Sequence, residues 1–107
     1  MLEYNAQGLI PAVIQDDETD AVLMLGYMNA ETLKMTEDKG QVVFFSRSRD
    51  EIWHKGATSG DYLEVRSIKA DCEHRSLLIR VKMLGGAVCH TGAKACYFEA
   101  LPPRSSI

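Results

Sequence analysis

The sequence predicts an α+β domain built mostly of antiparallel strands, arranged as a twisted sheet or a barrel, with one short helix. Short apolar runs rich in Val, Ile, Leu and Phe alternate with Gly, Asp and Pro turns, as in strands joined by hairpins. One segment, beginning at Asn29, carries both the start and the stop signals of a helix. The length of 107 residues predicts one domain, 1–107, in which residues 102–107 form a loose tail after the prolines.

Two strands are predicted before the helix. Residues 8–15 (GLIPAVIQ) form the first, and Pro11 within them lacks a backbone N–H, so we predict an edge strand. Residues 16–20 (DDETD) have turn-forming side chains. Residues 21–27 (AVLMLGY) then return as a buried strand, so the two strands form a hairpin.

The helix that follows has recognisable ends. Asn29 is a good N-cap, Glu31 lies in the positive first turn, and Gly40 is suited to the position after the last turn. Met28 is expected to pack against Leu33 across the cap. A helix of about ten residues is too short to be stable alone, so tertiary packing must hold it.

Four more strands are predicted after the helix. Residues 41–46 (QVVFFS) are apolar on both faces, which indicates burial on both sides. Residues 62–72 form a long strand, with a bulge expected near Ser67 and Lys69. Residues 76–84 alternate between apolar and polar side chains, and residues 97–101 form a short closing strand.

The three cysteines, Cys72, Cys89 and Cys96, are the main candidates for chemistry. We expect no secretory leader, and an odd number of cysteines without one is typical of the reducing cytoplasm rather than of a disulfide framework. Three thiolates leave one vertex of a zinc tetrahedron open, as in catalytic zinc sites. Buried cysteines can instead be ordinary core residues. The polar turn at Thr91 and Gly92, between two of the cysteines, favours a metal site.

Two basic, hydroxyl-rich segments, residues 46–49 (SRSR) and 55–60 (KGATSG), are candidate anion-binding loops. Segments of this kind are also common as ordinary solvated loops. The formal net charge of -3 gives no general attraction to nucleic acid or to acidic membranes, and no apolar run is long enough to span a bilayer. Any phosphate binding is therefore expected to be local.

Taken in order, the segments FFSRSR, WHKGATSG, DCE and CHTGAKAC followed by YF resemble the phosphoribosyl-AMP cyclohydrolase family of histidine biosynthesis. The resemblance covers about residues 8–98. It implies a zinc-dependent enzyme that adds water at C6 of the adenine ring of 1-(5-phosphoribosyl)-AMP and breaks the N1–C6 bond. It also implies an intertwined homodimer in which both chains contribute thiolates to each zinc.

The resemblance implies roles for individual residues. Cys72, Cys89 and Cys96 match the zinc ligands. His90 is the candidate general base or acid, or alternatively a fourth zinc ligand or a residue that supports the ligands. His54 is a possible substrate contact, whereas His74 is interpreted as a solvated turn residue. Trp53 could stack on the purine or belong to the core. The residues expected to bind the substrate are Ser46, Arg47, Ser48, Arg49, Trp53, Lys55, Thr58, Ser59, Gly60 and Thr91.

The sequence departs from the family pattern at a predicted magnesium site. The family usually has three aspartates at alternate positions around its first zinc cysteine, whereas this chain has Asp71, Glu73 and Arg75. A guanidinium removes one oxygen ligand and repels a cation, which argues against magnesium at Asp71 and Glu73. Ala57 also stands where the family tends to have glutamate. Two alternatives therefore stay open: a divergent zinc hydrolase acting on another purine or amidine compound, and a non-catalytic, zinc-stabilised dimer that binds a nucleotide.

Overall fold

The strands of this chain form a four-stranded sheet and a separate two-stranded hairpin. The computed structural model describes residues 1–102, so most of the predicted tail at 102–107 lies outside the described residues. The elements in chain order are β1 (Ile10–Asp16), β2 (Val22–Met28), α1 (Ala30–Lys39), β3 (Val43–Ser46), β4 (Glu51–His54), β5 (Leu63–Ala70) and β6 (Leu77–Met83). The sheet order is β2-β1-β6-β5, and β3 pairs with β4. Every pair is antiparallel except β1 with β6, so the predicted α+β class is confirmed.

The hairpin closes over one face of the sheet because the residues before β3 bond to β5. The amide of Val42 donates to the carbonyl of Leu63 at 3.0 Å, and the amide of Val65 donates to the carbonyl of Gly40 at 2.8 Å. On the other side, β3 packs against β2, the opposite edge of the sheet. The sheet therefore curls in the way that the sequence suggested as barrel-like.

The helix has the predicted ends. The side chain of Asn29 accepts from the amide of Thr32 at 2.8 Å, and the Thr32 hydroxyl accepts from the amide of Asn29 at 3.0 Å. Gly40 ends the helix in the left-handed region, with φ of 69°. The buried hydroxyl of Thr36 accepts from the amide of Val43 at 3.0 Å, which attaches α1 to β3. Met28 and Leu33 are both buried in the same core cluster.

The predicted position of the first strand is wrong. β1 lies inside the sheet, between β2 and β6, rather than at an edge. Pro11 is tolerated because pairing with β6 begins only at Ala12, so Pro11 has a neighbouring strand on one side. The proline indicated correctly that one side of the chain is unpaired at that residue, but not that the rest of the strand is central.

Three further points about the strands need correction. β4 is absent from the predicted strands, because its exposed residues Glu51, Ile52 and Trp53 lack the pattern of a half-buried strand. Residues 97–101 form no strand, and the apolar side chains of Tyr97, Phe98 and Leu101 are exposed. The strand predicted over 62–72 ends at Ala70, which leaves Cys72 in a turn.

β2, predicted as a buried strand, is instead an edge strand in which Val22 and Leu25 are exposed. β3, β5 and β6 follow the predicted patterns. β6 places Leu77, Ile79 and Val81 in the core, and the register of β5 shifts between Val65 and Ser67, near the predicted bulge. Val42, Val43 and Phe44 are all buried, as the two-sided apolar run indicated. Within residues 1–102 there is no helix long and apolar enough to span a bilayer.

Candidate active site

An open groove of about 570 Å³ lies where β2 meets the β3–β4 hairpin. Its volume is in the range of small-molecule sites. Polar side chains at the end of β3 and aromatic side chains from three strands line it. The complete lining is Leu25, Gly26, Tyr27, Phe44, Phe45, Ser46, Arg47, Ser48 and Trp53. Four predicted substrate-binding residues, Ser46, Arg47, Ser48 and Trp53, are therefore brought together here.

The wall of the groove depends on a close contact between β2 and β3. Phe44 is buried, and its ring lies 5.6 Å from the ring of Trp53, centroid to centroid. A Cβ atom at Gly26 would come within 2.5 Å of the Phe44 ring. Glycine at position 26 is therefore what allows the ring to lie directly against the backbone of β2. Trp53 is 42% exposed, so it is a groove residue more than a core residue.

The two arginines of the SRSR segment have different surroundings. The guanidinium carbon of Arg47 lies 3.9 Å from the centroid of the Tyr27 ring, within the groove. Arg49 lies outside the groove lining, and its guanidinium is 3.9 Å from the carboxylate of Glu51. The structure thus separates one arginine that faces the groove from one that pairs with the first residue of β4.

The second predicted anion-binding segment does not line the groove. Thr58, Ser59 and Gly60 are exposed in the turn after β4. The amide of Ala57 donates to the carbonyl of His54, and the amide of Gly60 donates to the carbonyl of Gly56. These two amides are therefore occupied within the turn, which weakens the interpretation of the segment as a backbone cradle for an anion.

Lys55 differs from the rest of its segment. Its side chain is buried, with the ammonium 5.4 Å from the centroid of Trp53. Its positive charge also acts on the thiols of Cys89 and Cys96, so it lies near these cysteines as well as near Trp53. Lys55 therefore connects the electrostatics of the two places where the sequence predicted chemistry.

Cys89 and Cys96 are close together at the end of the sheet that β6 reaches at Met83. The amides of Val88 and Cys89 both donate to the carbonyl of Ala93, which folds the intervening loop tightly. The amide of Cys96 donates to the carbonyl of Leu23 at 2.7 Å, which fixes this cysteine against β2. The two thiols interact with each other, as the predicted CHTG-x3-C loop requires.

The two thiols have opposite pKa shifts. Hydrogen bonds from Thr91, with its hydroxyl 3.2 Å from the sulfur, lower the pKa of Cys89, and the thiol of Cys96 and the charge of Lys55 act in the same direction. Burial, followed by the neighbouring Cys89, raises the pKa of Cys96. The pair therefore holds one readily formed thiolate, on Cys89, beside a thiol that donates to it. Thr91, predicted as a substrate contact, acts here on a cysteine.

The three histidines have separate environments. His90 is exposed, and its Nδ1 lies 4.0 Å from the sulfur of Cys89. His54 shares a hydrogen bond of 2.8 Å with Gln41 and contacts the ring of Tyr62, so it links β4 to neighbouring elements. His74 is exposed in a turn with φ of 59°. The structure thus places His90 beside the thiol pair and gives His54 and His74 structural surroundings.

Cys72 lies at the other end of β6 from the thiol pair. It is exposed and precedes β6, whereas Cys89 follows it. A strand of seven residues such as β6 spans roughly 20 Å. Accordingly, no group of three His, Cys, Asp or Glu residues within positions 1–102 is placed to hold a metal ion. The three predicted zinc ligands are therefore not brought together within one chain.

The predicted magnesium residues form a turn. The carboxylate of Asp71 accepts from the amides of Arg75 at 2.7 Å and Ser76 at 3.1 Å, and these bonds lower its pKa. Glu73 is exposed, and the guanidinium of Arg75 lies 3.4 Å from the carboxylate of Glu3. Asp71 is thus a turn cap in this chain, and Arg75 reaches the N-terminal segment rather than the neighbouring acids.

Several groove residues were missed by sequence reasoning. The sequence patterns indicate Tyr27, Gly26 and Phe44 only as parts of buried strands, although all three line the groove. The available signal was the interruption of the apolar run AVLML by Gly26, because glycine within a strand often marks a close approach by another group. Nothing in the sequence indicated which group that is.

Comparison with known proteins shows which family this sequence resembles. Residues 24–98 match the family described as phosphoribosyl-AMP cyclohydrolase. A phosphoribosyl-AMP cyclohydrolase of Streptococcus sanguinis is 52% identical over 94% of this chain and 88% of the relative. One from Trichormus variabilis is 44% identical over 94% of this chain and 87% of the relative.

A longer, bifunctional protein is similar to this chain over about half of its own length. The histidine biosynthesis bifunctional protein HisIE of Caldanaerobacter subterraneus is 52% identical over 92% of this chain, which corresponds to 48% of that protein. Residues 24–98, which match the family, include the loop from Cys89 to Cys96, the SRSR segment and most of the four-stranded sheet. The chain belongs to the phosphoribosyl-AMP cyclohydrolase family.

Proposed function

We propose that this protein hydrolyses 1-(5-phosphoribosyl)-AMP, opening the adenine ring between N1 and C6, as a step of histidine biosynthesis. The observation that carries the proposal is the thiol pair of Cys89 and Cys96 next to the groove that holds Arg47, in a chain similar to phosphoribosyl-AMP cyclohydrolases over most of its length. The cysteines are not in disulfides, which fits a cytoplasmic enzyme.

The groove has the chemistry that a phosphorylated purine nucleotide needs. The guanidinium of Arg47 and the hydroxyls of Ser46 and Ser48 can bind phosphate oxygens. The ring of Trp53 offers a flat apolar surface for the base. Because the chain is acidic overall, this local positive charge is what would attract the substrate phosphates.

We propose that zinc binds the thiols of Cys89 and Cys96. The pair fits this metal, because zinc takes thiolates and Cys89 already has a lowered pKa. Bound there, zinc would supply a Lewis acid that makes a water molecule acidic enough to act near neutral pH. Metal binding must also displace the proton from Cys96, so zinc affinity should rise with pH.

We further propose that Cys72 of a second copy of the chain provides the third thiolate. Within one chain Cys72 lies beyond β6 from the pair, yet it is exposed and can reach another protein. Outside the groove, exposed large apolar side chains are available for such a homodimer to cover. They include Val22, Ile52, Leu84, Tyr97, Phe98 and Leu101.

His90 is the residue proposed to move protons. It is exposed beside Cys89, so it can reach water at the proposed zinc position. An imidazole titrates near neutral pH, so it can accept a proton from the attacking water and return it to N1 when the N1–C6 bond breaks. We propose no magnesium ion at Asp71 and Glu73, because Asp71 is used as a turn cap.

The test is the change in ultraviolet absorbance on ring opening when the zinc-loaded protein is mixed with phosphoribosyl-AMP in buffer free of magnesium. We expect turnover, and mass spectrometry should show a product heavier by one water. Cys89→Ser should be inactive and should bind less zinc, whereas His90→Asn should keep its zinc and lose turnover. A zinc-loaded protein that binds phosphoribosyl-AMP without converting it would refute the proposal and favour a nucleotide-binding module.

A further inference from the structure

Tyr27 makes a contact in the groove that the chemistry described so far does not use. Its ring lies 3.9 Å from the guanidinium carbon of Arg47. Tyr27 belongs to β2 and is half-buried, so the strand fixes the position of its ring. Arg47 is exposed and follows the last residue of β3. An exposed arginine has many rotamers, and here one of them is held against a fixed ring.

The charge on Arg47 is otherwise uncompensated in this part of the chain. Among residues 1–102, no carboxylate lies within ion-pair distance of Arg47, whereas Arg49 pairs with Glu51. An aromatic ring attracts a cation through the face of the ring and accepts none of the conventional hydrogen bonds of the guanidinium. The N–H fork of Arg47 therefore remains free for an anion that enters the groove.

We infer that Tyr27 is a positioning residue that holds Arg47 ready to bind a phosphate group, and that Arg47, rather than Arg49, makes this contact. The inference rests on the proposed function, since it assumes that a nucleotide phosphate enters the groove. Its physical basis is pre-organisation: a guanidinium that is already placed loses less conformational freedom when the anion binds.

The experiment compares the binding of AMP and of adenosine to the zinc-loaded full-length protein by calorimetry. The ratio of the two dissociation constants isolates the phosphate, because both probes carry the same base and ribose. We expect Tyr27→Leu to weaken the preference for AMP by about 2- to 5-fold, the range of an exposed cation–π contact. Tyr27→Phe should retain the preference, because it keeps the ring and loses only the hydroxyl.

A double-mutant comparison shows whether Tyr27 acts through Arg47. Arg47→Ala should abolish the preference for AMP, and adding Tyr27→Leu to it should then change the ratio no further. Tyr4→Leu is the control, since Tyr4 is also half-buried but lies outside the groove, and no cation within residues 1–102 lies over its ring. Circular dichroism checks folding, and Tyr27→Met takes the place of Tyr27→Leu if that variant does not fold.

Three results would overturn the inference. The first is equal binding of AMP and adenosine by the unmodified protein. The second is an unchanged ratio of the two dissociation constants in Tyr27→Leu. The third is that Tyr27→Leu changes this ratio by the same factor when Arg47 has already been replaced. The assay needs no turnover, so it separates this inference from the proposed function. The expected binding pattern without hydrolysis of phosphoribosyl-AMP would refute the function alone, and hydrolysis without the pattern would refute the inference alone.

Discussion

Gly26 offers the sharpest test of how β2 and β3 form the groove. A Cβ atom at this position would lie 2.5, 2.6 and 2.9 Å from three carbons of the Phe44 ring. Carbon atoms in favourable contact are about 3.5–4.0 Å apart, so Gly26→Ala requires a displacement of roughly 1 Å. Phe44 is 1% exposed and packs against Trp53, so its ring cannot retreat without moving other groups.

Two effects of opposite sign determine the size of the change. Overpacking of this kind costs about 1–3 kcal/mol of folding free energy. Alanine also restricts the unfolded chain, which stabilises the protein by about 0.4–1 kcal/mol where the backbone is compatible. Gly26 is not among the glycines with positive φ, so this gain applies. We expect a net loss of about 1–2 kcal/mol, which corresponds to a decrease in Tm of roughly 5–10 °C.

The measurement is thermal unfolding by calorimetry at one protein concentration, with urea unfolding as a second probe. Gly86→Ala is the matched control, since Gly86 also lacks positive φ and a Cβ there would meet nothing within 4 Å. The control should be neutral or slightly stabilised. In a protein that already carries Phe44→Leu, adding Gly26→Ala should cost less stability than it does in the unmodified protein, because the ring that the new Cβ would meet is gone. If Gly26→Ala is as stable as the control, the close contact does not exist as described.

Three other substitutions test the site and its supports. Thr91→Val removes the hydroxyl that lowers the pKa of Cys89, so alkylation of this thiol in the zinc-free protein should require higher pH; an unchanged pH profile would exclude the hydrogen bond. Asn29→Ala removes half of the capping box and should cost about 1 kcal/mol in urea unfolding, whereas Asn29→Asp should cost little. The lowered pKa of Asp71 stabilises the fold above its ordinary value of 3.8, and this contribution disappears as the pH falls through the folded pKa. Acid unfolding of Asp71→Asn should therefore be less pH-dependent below about pH 4, and an identical acid profile would contradict this assignment.

Local chemistry explains why some elements could be predicted from the sequence. The ends of α1 depend on Asn29 and Gly40, whose effects act within a few residues. The alternation in β6 states which face is buried without reference to its neighbours. By contrast, β1 is central because it also pairs in parallel with β6. The first residues paired, Ala12 and Leu77, are 65 positions apart in the chain. No local pattern encodes that partner.

The same limit applies to the candidate site. The short loop between Cys89 and Cys96 predicts their proximity, because seven residues of separation and a glycine turn allow little else. The placement of Cys72 beyond the far end of β6, and of the Tyr27 ring under Arg47, depends on sheet topology. The resemblance to the family predicts a zinc site shared by two chains. The separation of Cys72 from Cys89 and Cys96 within one chain is a physical reason why a site with three thiolates would need a second chain.

The central claim is that the catalytic site requires Cys89 from one copy and Cys72 from another. It is tested most directly by the turnover of phosphoribosyl-AMP by Cys72→Ser and Cys89→Ser chains, purified separately and also after co-expression. Each variant alone should be inactive. Co-expression should restore about a quarter of the unmodified activity, because half of the dimers are mixed and each mixed dimer has one intact site. Active single variants, or no recovery on co-expression when the unmodified protein turns over, would contradict the account.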